Sequence, residues 1–198
     1  MNKYINFFLL ISLLTFISCH IPPSREIQNK DFIEISSLIE SSDRILNLSF
    51  EGEKIEYQIQ DEMYVSLEFI VQEKFIGSSK KGEKIYVTLN KNYYDNLVNN
   101  NEDKFEFEIK NNYLFFLFGR AKKNIFPKEL GGSLWFNNGN PSIYEIKDDR
   151  IKIISKKEVL SSLSDEFQEV ELNSYFLFRD MIIEAINKWK IFLYYMVL

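Results

Sequence analysis

Catalysis by side chains needs nucleophiles, bases or metal ligands within reach of one another, and this sequence is sparing with all three. Its one histidine and its one cysteine are neighbours, Cys19-His20. A Ser-His-Asp or Cys-His arrangement, and a metal site built on histidine, are therefore not expected in the rest of the chain. Among its seven glycines there is no G-x-S-x-G elbow, no phosphate-binding loop and no dinucleotide fingerprint. Carboxylates remain. Glu106 and Glu108 sit two apart in Phe105-Glu106-Phe107-Glu108-Ile109, a spacing that puts both acids on one face of a strand. Two opposed carboxylates suffice for glycoside hydrolysis, although the solvated face of an antiparallel sheet is the plainer reading. Asp148-Asp149 and Asp165-Glu166 lack the alternating ligand spacing of a calcium loop and read as a turn or a helix cap. No metal and no cofactor is expected. Tyr93-Tyr94 and Trp135-Phe136 are the aromatic pairs placed to anchor a partner near loops, with core packing as the competing use of the same rings.

The lone cysteine has a context of its own. Met1-Asn2-Lys3 is a short positive start, and residues 4–17 are uncharged and rich in Phe and Leu, the layout of a secretory leader. A bilayer helix needs about 20 apolar residues, and this run is broken off by Pro22-Pro23. Its end, Phe16-Ile17-Ser18-Cys19, resembles the lipobox of bacterial lipoproteins, with Phe16 where Leu, Val or Ile is usual. The resemblance implies cleavage before Cys19, with Phe16, Ile17 and Ser18 as recognition positions, and a diacylglyceryl group on the Cys19 thiol. Residues 1–18 would then be the signal peptide and 19–25 the anchor and tether, with membrane lipid as the covalent partner. An exported chain with one cysteine has no internal disulfide partner, so lipidation disposes of an otherwise free thiol. The residue after the cysteine is His20, not aspartate. By the same resemblance this implies the bacterial outer membrane, on either face.

The remainder, residues 26–198, is long enough for one domain with a real core. At 45% hydrophobic and 16% aromatic, with 18 Phe and 11 Tyr, it is expected to be ordered and rich in strands. A net charge of −5, with no basic run longer than a pair such as Lys80-Lys81, argues against a nucleic-acid partner. A first helix is expected from Ser24 to about Ser41 on the stripe Ile27, Phe32, Ile35, Leu38 and Ile39. From Ile45 the period changes to two, with residues 45–50 and 54–60 read as a hairpin across Glu51-Gly52-Glu53. Further strands are expected at 63–75 and 84–89, followed by a polar loop at 90–104 and a strand at 105–109. The run 113–118 reads as a core strand buried on both faces. Three short strands follow, around 134–136, 142–147 and 150–154, then a helix after Ser155 and a final helix from about Ser174. The apolar residues 191–198 are expected to lie against the strands, with an interfacial patch as the alternative.

Ser42-Asp43-Arg44-Ile45-Leu46-Asn47-Leu48, Val71-Gln72-Glu73-Lys74-Phe75-Ile76-Gly77, Ile85-Tyr86-Val87-Thr88-Leu89 and Tyr113-Leu114-Phe115-Phe116-Leu117 follow one another in an order that resembles netrin-like domains and the tissue inhibitors of metalloproteinases. Over residues 38–154 the resemblance implies α+β, mainly β architecture: a small OB-like antiparallel barrel flanked by an N-terminal and a C-terminal helix. Protease inhibition does not carry over, because that activity uses a free N-terminal cysteine amine braced by disulfides. The expected function is a membrane-anchored binding or structural component of the bacterial envelope, not an enzyme, offering loops 90–104 and 126–133 to an envelope protein. The alternative is a carboxylate-based glycan hydrolase.

Overall fold

The side chains of residues 113–117, Tyr-Leu-Phe-Phe-Leu, have only one phenol to offer water, so a strand built from them is stable only with both faces covered. The computed structural model describes residues 35–99, 105–120, 127, 130, 134–136, 142–154 and 174–197. Among these the chain is mainly β, with strands β1 (Arg44–Ile59), β2 (Glu62–Ile76), β3 (Lys84–Asn90), β4 (Asn112–Arg120), β5 (Leu134–Phe136), β6 (Ile143–Lys147) and β7 (Arg150–Ile153). Three helices accompany them: α1 (Ile35–Glu40), α2 (Lys91–Asn99) and α3 (Tyr175–Val197). The apolar run lies on β4, where Tyr113, Leu114, Phe115, Phe116 and Leu117 are each 0% exposed.

Alternation along β4 divides those side chains between two cores. Tyr113, Phe115 and Leu117 join Leu48, Phe50, Val65, Leu67, Phe69, Val71 and Val87 in a first core rich in edge-to-face rings. Leu114 and Phe116 point the other way, into a second core with Ile39 of α1, Tyr144 of β6, and Phe178 and Ile182 of α3. The ladders follow from this. β1 pairs antiparallel with β2 along one edge and with β4 along the other. β2 pairs antiparallel with β3, and β4 pairs antiparallel with both β5 and β6. β6 pairs with β7, and β3 meets β5 in parallel through Val87↔Leu134 and Thr88↔Trp135.

Several local expectations are corrected. Glu51-Gly52-Glu53 is a bulge inside one long strand, not a hairpin turn. Phe50 faces Phe69 and Lys54 faces Leu67, so three residues of β1 stand against Glu68 alone. Gly52, at φ +95°, makes the bend in a region that side chains avoid, and the chain reverses later, at Gln60-Asp61. The expected loop after residue 90 holds α2 instead. Asn90 Oδ1 accepts from the Asn92 amide at 3.0 Å as an N-cap, Lys91 pairs with Asp95 one turn on, and Leu97 is buried in the first core. Residues 105–108 alternate in burial as expected, but Ile109 is 63% exposed and the segment joins no strand: Glu108 N–H donates to the Tyr113 hydroxyl, and Lys110 N–H donates to the Phe50 carbonyl of β1. At the C-terminal end, Ile191 is 58% exposed and so is not laid against the strands, and the side chains of residues 192–198, the rest of that apolar run, lie outside those described. The expected leader and tether, most of the first helix and the helix after Ser155 lie outside the described residues.

Helix α3 is held by a polar clamp as well as by its apolar stripe. Asn47 and Glu73 are cross-strand partners on β1 and β2. The Asn47 amide donates to the Tyr175 hydroxyl at 3.0 Å, and that hydroxyl donates to Glu73 at 3.1 Å. Arg179, one turn further, places two N–H groups on the other Glu73 oxygen at 2.9 and 2.7 Å. Burial pushes the Tyr175 phenol up to about 12, with Asn47 and Arg179 opposing and the Glu73 carboxylate reinforcing.

Two outcomes are expected. Phe116→Ala should lower unfolding stability by about 3–5 kcal/mol with an unchanged denaturant slope, as measured by urea denaturation. The raised Tyr175 value means that its contribution is complete below pH 10 and lost as pH climbs toward 12. Tyr175→Phe should therefore flatten the fall of the urea midpoint across that alkaline window; an identical slope in both proteins would remove Tyr175 from the clamp.

Candidate functional site

The densest grouping of polar side chains among the described residues lies on β1, β2 and β3, on the side turned away from the first core. Strand alternation sends Val65, Leu67 and Phe69 inward and leaves Tyr64, Ser66 and Glu68 on the opposite side. The register then sets Ser66 across from Thr88 and Glu68 across from Tyr86 on β3, and Tyr64 across from Tyr57 on β1.

Two clusters result. In the first, the hydroxyls of Ser66 and Thr88 are 2.6 Å apart, and the Tyr57 hydroxyl lies 2.9 Å from Ser66 and 3.2 Å from Thr88. Ser66 and Thr88 are fully buried. Burial raises the Tyr57 phenol above its ordinary value against the pull of the two hydroxyl bonds. Tyr57 stacks on Tyr64 at 6.1 Å between ring centres, and Leu130 closes over Ile59 and Tyr64. Burial, with the Glu62 carboxylate beside it, pushes the Tyr64 phenol up as well.

The second cluster sits at the bulge. The Tyr86 hydroxyl is 3.0 Å from carboxylate oxygens of both Glu53 and Glu68, and Lys84 lies 2.9 Å from Glu68. Glu53 reaches this position because the bulge around Gly52 inserts extra residues in β1. Glu68 is only 6% exposed. Its burial would raise the carboxyl, but the hydrogen bonds from Lys84 and Tyr86 outweigh it and hold the acid below its ordinary range. Burial and the two carboxylates push the Tyr86 phenol up.

The residues singled out from sequence are scattered by comparison. Tyr93 and Tyr94 are half-buried against the first core, with Lys54 over the Tyr94 ring at 4.5 Å. Trp135 and Phe136 lie on β5, opposite Thr88 and Leu117 in the ladders, with side chains outside those described. Glu106 and Glu108 are both exposed, and Glu108 bonds Asn111 and pairs with Lys147 at 3.2 Å. Asp148 and Asp149, at φ 50° and 60°, form the tight turn between β6 and β7. Phe16, Ile17, Ser18, Cys19, Asp165 and Glu166 fall outside the described residues. Sequence reasoning missed Glu53, Glu68 and Tyr86. Period-two alternation places Glu68 and Tyr86 on sheet faces, but only the register brings them to one point. Among the described residues no group of three or more His, Cys, Asp or Glu could hold a metal ion. No family model, no curated protein and no solved structure matches the chain.

A depressed carboxyl stabilises the fold above its ordinary value near pH 4.5 and loses that contribution as pH falls through the folded value. In acid titrations followed by urea denaturation, Glu68→Gln should lose less stability than wild type below pH 4.5. Parallel acid profiles would mean that Lys84 and Tyr86 do not hold the charge.

Proposed function

We propose that this chain is a lipoprotein of the bacterial envelope, tied by lipid on Cys19, whose β-rich domain binds or braces another envelope component. The observation that carries this reading is the junction Phe16-Ile17-Ser18-Cys19 at the end of an uncharged apolar run, in a chain with no second cysteine. Two or more acyl chains make such an anchor effectively permanent, where one alone holds weakly. The domain is read as OB-like: β1 pairs with both β2 and β4, β3 runs parallel to β5, and β5 returns antiparallel to β4. The outer membrane is the favoured address, from His20 in the position after the cysteine.

The polar clusters on β1, β2 and β3 support a binding or structural role over the alternative, a carboxylate-based glycan hydrolase. Such an enzyme needs one carboxyl kept protonated by a raised pKa opposite an ionised partner. Glu68, the buried member of the pair at Tyr86, shifts the other way and is matched by Lys84. The hydroxyls of Tyr57, Ser66 and Thr88 bond one another, which ties three strands together.

Metabolic labelling with a palmitate analogue, followed by membrane fractionation, tests the reading. Wild type is expected to carry label and sediment with membranes, while Cys19→Ala loses the label and moves to the soluble fraction. An unlabelled wild-type chain would contradict the proposal and make this a freely exported protein.

A further inference from the structure

The connection between β2 and β3 runs through Gly77-Ser78-Ser79-Lys80-Lys81-Gly82 beside Arg44, the first residue of β1. Gly77, at φ +103°, lets the loop close on the Arg44 stem: a Cβ there would stand 2.8 Å from Arg44 Cγ. The half-buried guanidinium donates to the Ser79 hydroxyl at 2.8 Å and to the Ser78 hydroxyl at 3.1 Å. Ser79 is 3% exposed. Each serine oxygen therefore accepts from Arg44 and keeps its own O–H to donate, and no acceptor for either O–H is found among the described residues. A buried hydroxyl in that state costs free energy unless an acceptor meets it. Lys80 and Lys81, on the same loop, are exposed. Among the described residues Arg44, Lys80 and Lys81 form no ion pair, in a chain whose net charge is −5. The flanking acids, Asp43 and Glu83, turn to backbone instead: Glu83 accepts from the Lys80 amide at 2.8 Å and Asp43 from the Gly119 amide.

We infer that this loop binds phosphate, presented either by a soluble phosphate monoester or by the headgroup of a phospholipid. The loop and Arg44 bring together a guanidinium, two hydroxyls with protons to donate and two ammonium groups. An acceptor-rich anion is the ligand such a set recognises. A carboxylate has two oxygens to offer, whereas the phosphate of a monoester has three strong acceptors and a charge of about −1.5 to −2. Arginine supplies directional N–H groups to such an anion and lysine a mobile point charge. The inference stands on residues 43–83 and does not depend on lipid at Cys19.

Lysine reactivity in the full chain tests the site. Lys80 and Lys81 are acylated with an N-hydroxysuccinimide ester and followed by mass spectrometry, with exposed Lys190 of α3 as the reference amine. One arm titrates inorganic phosphate against chloride of equal ionic strength. The other compares phosphatidylcholine vesicles with and without phosphatidic acid. Phosphate is expected to slow both loop lysines saturably while Lys190 keeps its rate. Arg44→Gln should raise the midpoint about tenfold, the equivalent of one charge-assisted hydrogen bond. Ser78→Ala, at an exposed hydroxyl, should raise it too, with the far-ultraviolet circular dichroism of wild type. Slowing by inorganic phosphate assigns the loop to soluble phosphate compounds. Slowing by phosphatidic acid alone, weakened in the same variants, assigns it to a lipid headgroup. Loop lysines that react at one rate in every arm would overturn the site. So would slowing that Lys190 shares, or that both Arg44→Gln and Ser78→Ala leave intact.

Discussion

The fold depends on the burial of both faces of one strand. Tyr113 to Leu117 cannot be given a solvated side, so β4 needs an apolar layer on each face. Strands β1, β2 and β3, with α2 at one end, provide the first. The second comes from α1, α3, β6 and β7, elements from the two ends of the described chain. A small domain that divides its apolar side chains between two thin cores gains cooperativity from the strands common to both, β4 above all, with β1 giving Ile45 to the second core and β6 giving Ile143 to the first. Opening either core exposes one face of β4 and weakens the ladders through which the other is assembled.

Polar side chains then fix how the layers meet. Apolar packing alone would tolerate a helix turned or slid by a fraction of a turn. The clamp from Asn47 through Tyr175 and Glu73 to Arg179 admits one placement, because Tyr175 must accept from β1 and donate to β2 at once. The Tyr57, Ser66 and Thr88 hydroxyls do the same for three neighbouring strands further along β1 and β2, also on the side away from the first core.

What could be read in the sequence follows the range of the interactions. The buried strand at β4 was legible because five consecutive apolar residues admit one arrangement, and the short strands β6 and β7 were legible from alternation and the Asp148-Asp149 turn. The long strand β1 was not. Gly52 between two alternating runs signals a hairpin locally, and only the length of β2, which pairs with both runs, turns it into a bulge. Helix α2 was hidden by Asn-rich composition, since its support comes from the Asn90 cap and the burial of Leu97. At the candidate site, Tyr93 and Tyr94 were found but serve the core. Glu53, Glu68 and Tyr86 come from three strands and meet through a bulge that no local pattern announces.

Native-state hydrogen exchange tests the central claim, that β4 joins the two cores into one cooperative unit. The backbone amides of residues 113–117 and those of α3 around Phe178 and Ile182 should exchange only through global unfolding, with one free energy equal to that from urea denaturation. Exchange of the α3 amides through a partial opening that leaves the β4 amides protected would contradict the account.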